Sequence, residues 1–501
     1  MTSYDKLFIG GRWTEPAGSE TIEVRSPHDQ SLVGRVPGAA EADVDRAVEA
    51  ARQAFDHGPW PRTTPSERRA VLARFNELHT ARGRELAALV TSENGTPLWF
   101  TGLLHNGGIA EQTASYLRAS ESFGWEERLE SGTTVRREPV GVIAAVIPWN
   151  APHQSALAKI VPALLAGCTV VLKAAPETAL DALVLGEIFA EAGLPEGVLS
   201  ILATGREVSE YLVSHPSVDK IAFTGSTAAG RRIAAIAGEQ LKRVSLELGG
   251  KSAAIILEDA DLAAVAEGLK TASLANNGES CVAHTRVLAP RSRYEEIVAA
   301  LATMIEGLTV GDPSDPATFI GPMVRADQQQ RVRNYIDLGI KEGARLVVGG
   351  SDVPQGLEGG FYVRPTLFAD VDNSMRIARE EIFGPVLVVI PFDDVEDAVR
   401  IANDSPYGLG GGVWSADAEH GMEIARRVRT GTFSVNGAHA AFDGPFGGYK
   451  ASGIGREFGL VGLGQYVEFK TISRTTPPLP SSWVRNGATG LRVRHDFPPC
   501  C

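Results

Sequence analysis

The sequence predicts an α/β protein with two doubly wound parallel sheets and a small separate β arm. Three observations predict it. First, between residues 140 and 248 short β-branched runs (GVIAAVIPW, CTVVLK, SILAT, VDKIAFTG) alternate with helix-length apolar patterns (SALAKIVPALLAG, LDALVLGEIFAEAG, EVSEYLVSH). Apolar strands separated by helices of this length are the mark of parallel strands covered on both faces. Second, the alternation resumes after Glu247 with SAAIILED, a long helix near residues 262–276, RVLAPR, LVVGG, GPVLVVIPF and GTFSVNG, which predicts a second α/β domain. Third, residues 128–139 and 464–472 read as strands isolated from both alternating regions.

The N-terminal part opens with strand-like LFIGGRW and LVGRVPG, then helical patterns from Glu41 to Phe55 and from Ser66 to Thr91. The apolar spacing in RAVLARFNELHTARGRELAALV fits a period of about 3.6. Glu41 and Asp43 fall in a first turn, where acids suit the helix dipole. Ser66 is the expected cap of the second helix, followed by Glu67. The domain boundaries read as 1–120 with 140–248, then 249–450, an arm of 121–139 with 464–480, and a tail of 481–501. From Ser473 the chain turns rich in Pro and Ser (RTTPPLPSSW), the composition of an extended arm.

Composition excludes several function classes. At 501 residues the chain has room for two to four domains of roughly 100–200 residues. With 44% apolar and 22% charged residues it reads as an ordinary soluble globular chain. A net charge of −13 argues against the basic footprint that nucleic acid needs and against a polybasic membrane surface. Asp5 and Lys6 interrupt the opening residues and no apolar run follows, so no secretory signal is expected. The longest apolar stretch, residues 160–172, is broken by Pro162 and Gly167 and falls short of the roughly 20 residues of a membrane span. A cytoplasmic protein is therefore expected. The four cysteines, Cys168, Cys281, Cys500 and Cys501, form no C-x-x-C pair, so no disulfide framework is expected. The ten histidines show no H-E-x-x-H or paired spacing, so no metal site is expected.

The common nucleotide fingerprints fail. LGGKS resembles the end of a phosphate-binding loop, but the first glycine of that motif would fall at Ser245, and no G-x-G-x-x-G follows any strand. Five other segments carry chemistry, each with a bland counterpart. FTGSTAAG (residues 223–230) is a strand and a Gly-Ser-Thr turn into a helix: Gly225 allows close approach, and Ser226 or Thr227 caps a helix whose free N–H groups suit a diphosphate. An ordinary capped helix start reads the same way. NNGESCVA (residues 276–283) sets Cys281 after Asn277, Glu279 and Ser280, polar company for a nucleophilic thiol, although a free cysteine is more often a buried packing residue. Cys168, flanked by apolar residues, reads as such a packing thiol.

SLELGGKS (residues 245–252) sets Glu247 between two leucines, where desolvation raises a carboxyl towards general-base duty; a solvated acid on an edge strand reads equally well. VIPWN (residues 146–150) ends a buried strand on Asn150, either an oxyanion donor or an ordinary turn residue. EEIFGPV (residues 380–386) offers Glu381 for ribose hydroxyls and Phe383 for a nicotinamide ring, or a loop with one core aromatic.

Taken together and in this order, PWN, FTGST, LELGGKS, the N-x-G-x-x-C run, EEIFGPV and PFGGYKASGIGRE resemble the aldehyde dehydrogenase superfamily, in its NAD(P)-dependent, bacterial-type, broad-substrate form. The similarity runs from about Phe8 to about Ile472. The resemblance implies two Rossmann-like domains, the first binding NAD(P) and the second carrying the nucleophile, with a β arm for homodimers or homotetramers in which Glu468 would sit. It implies that Cys281 attacks an aldehyde to give a thiohemiacetal and then a thioester, that Asn150 and the Cys281 backbone N–H hold the oxyanion, that Glu247 activates the hydrolytic water, and that Glu457 relays protons. For NAD, with NADP as the alternative, it points to Ile147, Trp149, Lys173, Gly205, Gly225, Ser226, Leu248, Glu381 and Phe383. Positions similar to pocket-lining sites carry Ala151, Gln154, Ala158, Ser280, Val282, Ala440 and Phe446. Their small side chains imply a roomy pocket for a bulky, hydrophobic or aromatic aldehyde, with no arginine or lysine for a second carboxylate.

Two departures from the family pattern bear on chemistry. Pro176 in KAAPET stands where many NAD-preferring members have a carboxylate, so repulsion of a 2′-phosphate is weakened. Glu279 replaces a common glutamine two residues before the nucleophile, where a negative charge would raise the thiol pKa. The competing reading is a non-redox thiol acyltransferase or hydrolase pairing Cys281 with His284, on their three-residue spacing.

Overall fold

The computed structural model describes residues 3–438 and 441–474. Its contacts form two compact units, Met1–Phe123 with Pro139–Val467, and a small one of Gly124–Glu138 with Glu468 onward. The first unit contains both large sheets. The eight-stranded sheet has at its centre five parallel strands: Arg243–Glu247, Lys220–Thr224, Val142–Val146, Thr169–Ala174 and Leu199–Ala203, in that spatial order. Val142–Val146 lies between Lys220–Thr224 and Thr169–Ala174, so the chain winds outward from it in both directions. That is the doubly wound arrangement the alternation predicts. The edges are antiparallel, with Leu7–Ile9 beside Leu199–Ala203 and Gly453–Ile454 beside Arg243–Glu247. These antiparallel edges were not legible from the alternation, because their pairing partners lie roughly two hundred residues away.

The second sheet has seven strands. Ala253–Ile256 is flanked by Arg286–Pro290 and Gly411–Trp414, and Val386–Phe392 and Thr366–Ala369 extend it in parallel. Only Arg345–Val348, at one edge, runs antiparallel. Every residue of Ala253–Ile256, Arg286–Pro290 and Gly411–Trp414 is buried, as expected where helices cover both faces.

The helix Pro152–Ala166 packs against the first sheet, with thirteen of its residues buried. Pro162 is tolerated inside it. The left-handed Gly167 (φ 93°) ends it, as a residue without Cβ can. The helical region after Glu41–Asp56 differs from expectation in two ways. The cap is Thr64 and not Ser66: its side chain accepts from the Glu67 N–H while Glu67 accepts from the Thr64 N–H, with Pro65 in the first turn. The long pattern is also two helices, Pro65–Ala81 and Gly83–Asn94. A Cβ at Gly83 would lie 2.6 Å from the His105 carbonyl oxygen, so this junction is where a π-helical turn, Leu104–Gly108, is pressed against the chain.

The long helix near residues 262–276 ends earlier than its pattern, at Leu274, because Asn276 and Asn277 both turn left-handed (φ 55° and 60°). Asn277 is wholly buried and satisfied: its amide donates to the carbonyls of Gly95 and Pro322 and accepts from the Gly321 N–H. Asn277→Ala leaves these three buried backbone groups unpaired, an expected cost of about 3 kcal/mol. Calorimetry would show it as a lowered unfolding temperature; an unchanged one would mean that the loop closes without the amide.

The small unit carries a three-stranded sheet in which Thr134–Pro139 lies between Glu126–Arg128 and Val467–Ile472. Thr134–Pro139 and Val467–Ile472 fall within the strand-like stretches 128–139 and 464–472 of the sequence, whereas Glu126–Arg128 lies almost wholly before the first of them. Lys470 pairs with Glu138 at 3.0 Å across it. The tail 481–501, with Cys500 and Cys501, lies outside the described residues, as do residues 475–480 of the expected arm. Among the described residues no helix is long and apolar enough to cross a membrane.

Candidate active site

In a doubly wound sheet, ligands gather at the carboxyl ends of the strands, where the winding reverses. The sequence places its candidates there. Ile147, Trp149 and Asn150 follow Val142–Val146; Lys173 sits near the end of Thr169–Ala174; Gly205 follows Leu199–Ala203; Gly225 and Ser226 follow Lys220–Thr224; Glu247 ends its strand. The registers Val146↔Lys173, Val146↔Phe223 and Thr224↔Glu247 put these ends side by side.

Gly225 donates its N–H to the Glu247 carbonyl, and a Cβ there would meet the Phe223 ring at 2.5 Å. Ser226 caps the helix Thr227–Glu239 by accepting from the Ala229 N–H. Gly205 precedes the helix Arg206–Ser214, with open space where its Cβ would be. Glycines at two strand ends, each opening a helix, suit an anionic diphosphate. Leu248 folds over Gly230 and donates its N–H to the Ser452 carbonyl. Lys173 makes no ion pair among the described residues, and burial lowers its ammonium to about 8 against the opposing pull of Glu177. Glu177, directly after Pro176, is itself tied to Arg325.

The second group of residues arrives from the amino ends of two strands of the other sheet. Cys281 lies before Arg286–Pro290, and Glu381 and Phe383 lie before Val386–Phe392. The loop after Glu247 joins the two groups at Gly250. A Cβ on Gly250 would be 2.3 Å from the Cys281 carbonyl oxygen, and the Gly250 N–H donates to the Glu381 carboxylate at 3.0 Å. Only glycine lets the loop pass this close. Phe383 is left-handed (φ 64°), its carbonyl accepts from Gln328, and its ring stands edge-on to Trp149 at 5.6 Å.

Asn276 holds Asn150 against the cysteine loop. Its amide donates to the carbonyls of Asn150 (2.8 Å) and Glu279 (3.2 Å), while Asn150 donates to the same Glu279 carbonyl at 2.9 Å. A side-chain amide has two N–H groups, so this bond takes one and leaves the other for a ligand. Glu279 does not act as its position implies. Its carboxyl accepts from the Val324 N–H, and burial holds its pKa well above the usual range. The Cys281 thiol is nevertheless pushed up to about 12, first by burial, then by Glu381 and Glu247 and, more weakly, Glu457.

Glu247 is 4% exposed and neither carboxylate oxygen has a hydrogen-bond partner. Burial and then the Glu457 charge drive its pKa well up, opposed by Lys159 and Arg456. Lys159, buried in the helix Pro152–Ala166, bonds Glu457 at 2.7 Å and Thr224 at 2.6 Å. The sequence reading missed Lys159; its available signal was a single lysine inside an apolar helical run. It also missed Phe442 and Phe458, whose rings lie 5.1 Å apart, with Phe446 a further 5.7 Å from Phe458.

Ser280 and Val282 flank the half-buried Cys281, and Ala151 opens the helix Pro152–Ala166. Gln154 and Ala158 follow one and two turns on; their carbonyls accept from Gln112 and the Tyr116 hydroxyl. Ala440 lies outside the described residues. His284 does not pair with Cys281: no hydrogen bond joins them, and its ring lies against Gly412 in the core, where burial lowers it to about 4. Three residues of spacing in a non-helical loop do not bring two side chains together, and the thiol-base pairing with His284 fails on that ground.

The fold and site thus define a two-sheet nucleotide-binding α/β protein with a buried acid and a thiol around one glycine loop. The Aldehyde dehydrogenase family model matches residues 13–472, and the chain belongs to that family, whose members are NAD(P)-dependent oxidoreductases of aldehydes. The chain is 46% identical over 473 residues to the geranial dehydrogenase of Castellaniella defragrans, covering 94% of this chain and 98% of that one. It is 42% identical to a 3-succinoylsemialdehyde-pyridine dehydrogenase of a Pseudomonas species, covering 94% and 99%. Its structure is similar to that of a Mycobacterium tuberculosis aldehyde dehydrogenase complexed with NAD+, with TM-score 0.93 and 50% identity over 96% of this chain and 100% of that chain.

Proposed function

We propose that this enzyme oxidises a bulky hydrophobic or aromatic aldehyde to its carboxylic acid, with NAD as acceptor and NADP as the alternative to be tested. One observation carries the reading: Gly250 touches both the Cys281 carbonyl and the Glu381 carboxylate, three residues after the unpartnered carboxyl of Glu247. Nucleophile, base and cofactor ligand thereby meet on one loop. In this reading the cofactor is held by Ile147, Trp149, Lys173, Gly205, Gly225, Ser226, Leu248, Glu381 and Phe383, and it supplies the hydride acceptor. The NAD+ complex of the M. tuberculosis relative supports NAD.

The Cys281 thiol gives its proton to solvent and adds as thiolate to the carbonyl carbon, so that a C–S bond forms as the C=O π pair moves onto oxygen to make an oxyanion. The remaining N–H of the Asn150 amide and the Cys281 backbone N–H hold that charge. Water then attacks the thioester later carried by Cys281, giving its proton to Glu247 and from there past Glu457 and Lys159; a C–O bond forms, the C–S bond breaks, and the acid leaves with Cys281 restored as thiolate. Asn150→Ala is expected to lower turnover by roughly 10²–10³-fold with the fold intact; steady-state kinetics with unchanged kcat would remove Asn150 from the reaction.

Small residues at Ala151, Ala158, Ser280 and Val282, with the Phe446 aromatic cluster, support a roomy apolar pocket, as do relatives named for geranial and a pyridine compound. The assignment of residues 1–120 with 140–248 to cofactor binding and 249–450 to the nucleophile belongs to the same reading. So does the role of the small three-stranded sheet as an arm joining homodimers or homotetramers. A panel of aliphatic, aromatic and semialdehyde substrates, each with NAD and with NADP, tests it through kcat/KM. A preference for short aliphatic aldehydes would overturn the substrate class, and NADP selectivity would overturn the cofactor.

A further inference from the structure

Three histidines far apart in sequence meet in the core, around a cavity that also reaches Asn150. His79 comes from the last turn of Pro65–Ala81, His105 from the π-helical turn Leu104–Gly108, and His153 from the first turn of Pro152–Ala166. All three are buried, with exposures of 1%, 3% and 1%. One ring nitrogen from each lies within 4.8 Å of the other two. We propose that His79, His105 and His153 form a binding site for a single divalent transition-metal ion of the zinc type, with water completing its coordination.

The hydrogen bonding of the cluster points the same way. His153 Nε2 lies 3.0 Å from the Asp181 carbonyl oxygen. A carbonyl only accepts, so Nε2 carries the proton and Nδ1 presents a lone pair. That lone pair faces His79 Nε2 at 3.1 Å. Tetrahedral zinc at about 2.0–2.1 Å from its nitrogens sets them about 3.3 Å apart, so these two already stand at ligand spacing. The Asp181 carboxylate lies 3.3 Å from the same His153 Nε2. A carboxylate or carbonyl behind the outer nitrogen is how ligating imidazoles are usually oriented.

As a purely hydrogen-bonded cluster the three rings are poorly satisfied. His105 makes no side-chain hydrogen bond among the described residues, and its Nδ1 is buried without a partner. Leaving buried polar nitrogens unpaired is costly, yet the fold leaves its α-helical path to bring His105 there. The π-helical turn is pressed on Gly83, where no side chain would fit. His105 and His153 also line a small cavity with Thr101, Leu104, Asn150 and Gln154, which gives a water ligand its place. Three neutral imidazoles without thiolate or ligating carboxylate suit zinc and its neighbours better than calcium or magnesium. The ion would clamp three helical segments beneath Asn150.

The sequence leads to the expectation of no metal, because ligand-spacing motifs register only residues close in the chain. The test uses the full chain without an affinity tag, in a Cys281→Ser, Cys500→Ser, Cys501→Ser background that leaves only the buried Cys168 thiol. After chelation and re-equilibration with zinc, elemental analysis is expected to find about one zinc per chain. X-ray absorption is expected to show three imidazole nitrogens and no sulfur. His105→Ala and His79→Gln are expected to lose the ion. Cobalt substituted into the unmutated site, read by visible absorption, needs no altered histidine and covers the case in which those variants misfold. Less than about a tenth of an ion per chain, zinc retained by folded variants, or a shell of fewer than three imidazoles would overturn the proposal.

Discussion

Cys281→Ser is expected to abolish aldehyde oxidation, lowering kcat by roughly 10⁴-fold or more, because covalent catalysis fails as a unit when its nucleophile goes. The environment makes serine an especially poor substitute. Burial and the carboxyls of Glu381, Glu247 and Glu457 push even the thiol to about 12; a hydroxyl, with a far higher intrinsic pKa, would stay protonated throughout. The same shift yields a second readout. In the cofactor-free enzyme the thiolate fraction is small at neutral pH and grows as pH rises toward the raised value. Alkylation of Cys281 by iodoacetamide should therefore keep accelerating beyond the ordinary cysteine range near 8.5. A rate that levels off by neutral pH would mean that the thiol is already ionised and that the surrounding carboxyls do not govern it. Significant oxidation by the serine variant would move the nucleophile elsewhere.

Glu247→Gln is expected to separate the two halves of the reaction. Acylation of Cys281 should survive as a burst of reduced cofactor near one per active site, while steady-state turnover falls by roughly 10²–10⁴-fold, the range for loss of a general base. The pH dependence follows from the direction of the shift. Glu247 is buried without a partner beside Glu457, so its pKa lies well above the usual carboxylate range. Protonated, it cannot take a proton from water. In the wild type kcat should therefore fall as pH drops through this raised pKa, at a higher pH than a solvated glutamate near 4.3 would give. The residual rate of the glutamine variant should lose that limb. A variant with neither burst nor changed limb would assign the base to another residue, with Glu457 the next to examine.

The buried lysine ties these expectations to the fold. Lys159 and Glu457 are almost three hundred residues apart in the chain, yet they form a 2.7 Å ion pair beside Glu247. This largely buried charge pair acts on Glu247 from two sides, Lys159 lowering its pKa and Glu457 raising it. The balance is set by where the helix Pro152–Ala166 and the strand Gly453–Ile454 dock, which no local motif encodes.

The sequence by itself determined the strand and helix alternation, the winding of both sheets, two strands of the small sheet and the order of the site motifs. Each rests on a period or spacing of a few residues, and such patterns are local. It also named Cys281, Glu247 and Asn150, because a thiol, an acid between leucines and an amide after a buried strand each stand out from their neighbours. Tertiary structure alone decided how those residues are tuned. Glu279 sits two residues from Cys281, yet its carboxyl goes to Val324, while Glu381, a hundred residues on, raises the thiol. His284, three residues away, is held in the core. His79, His105 and His153 share no spacing and still converge. Electrostatics and ligation depend on distance through space and on burial, and both are fixed only when the two sheets, the glycine loop at Gly250 and the left-handed Asn276–Asn277 turn close around one another.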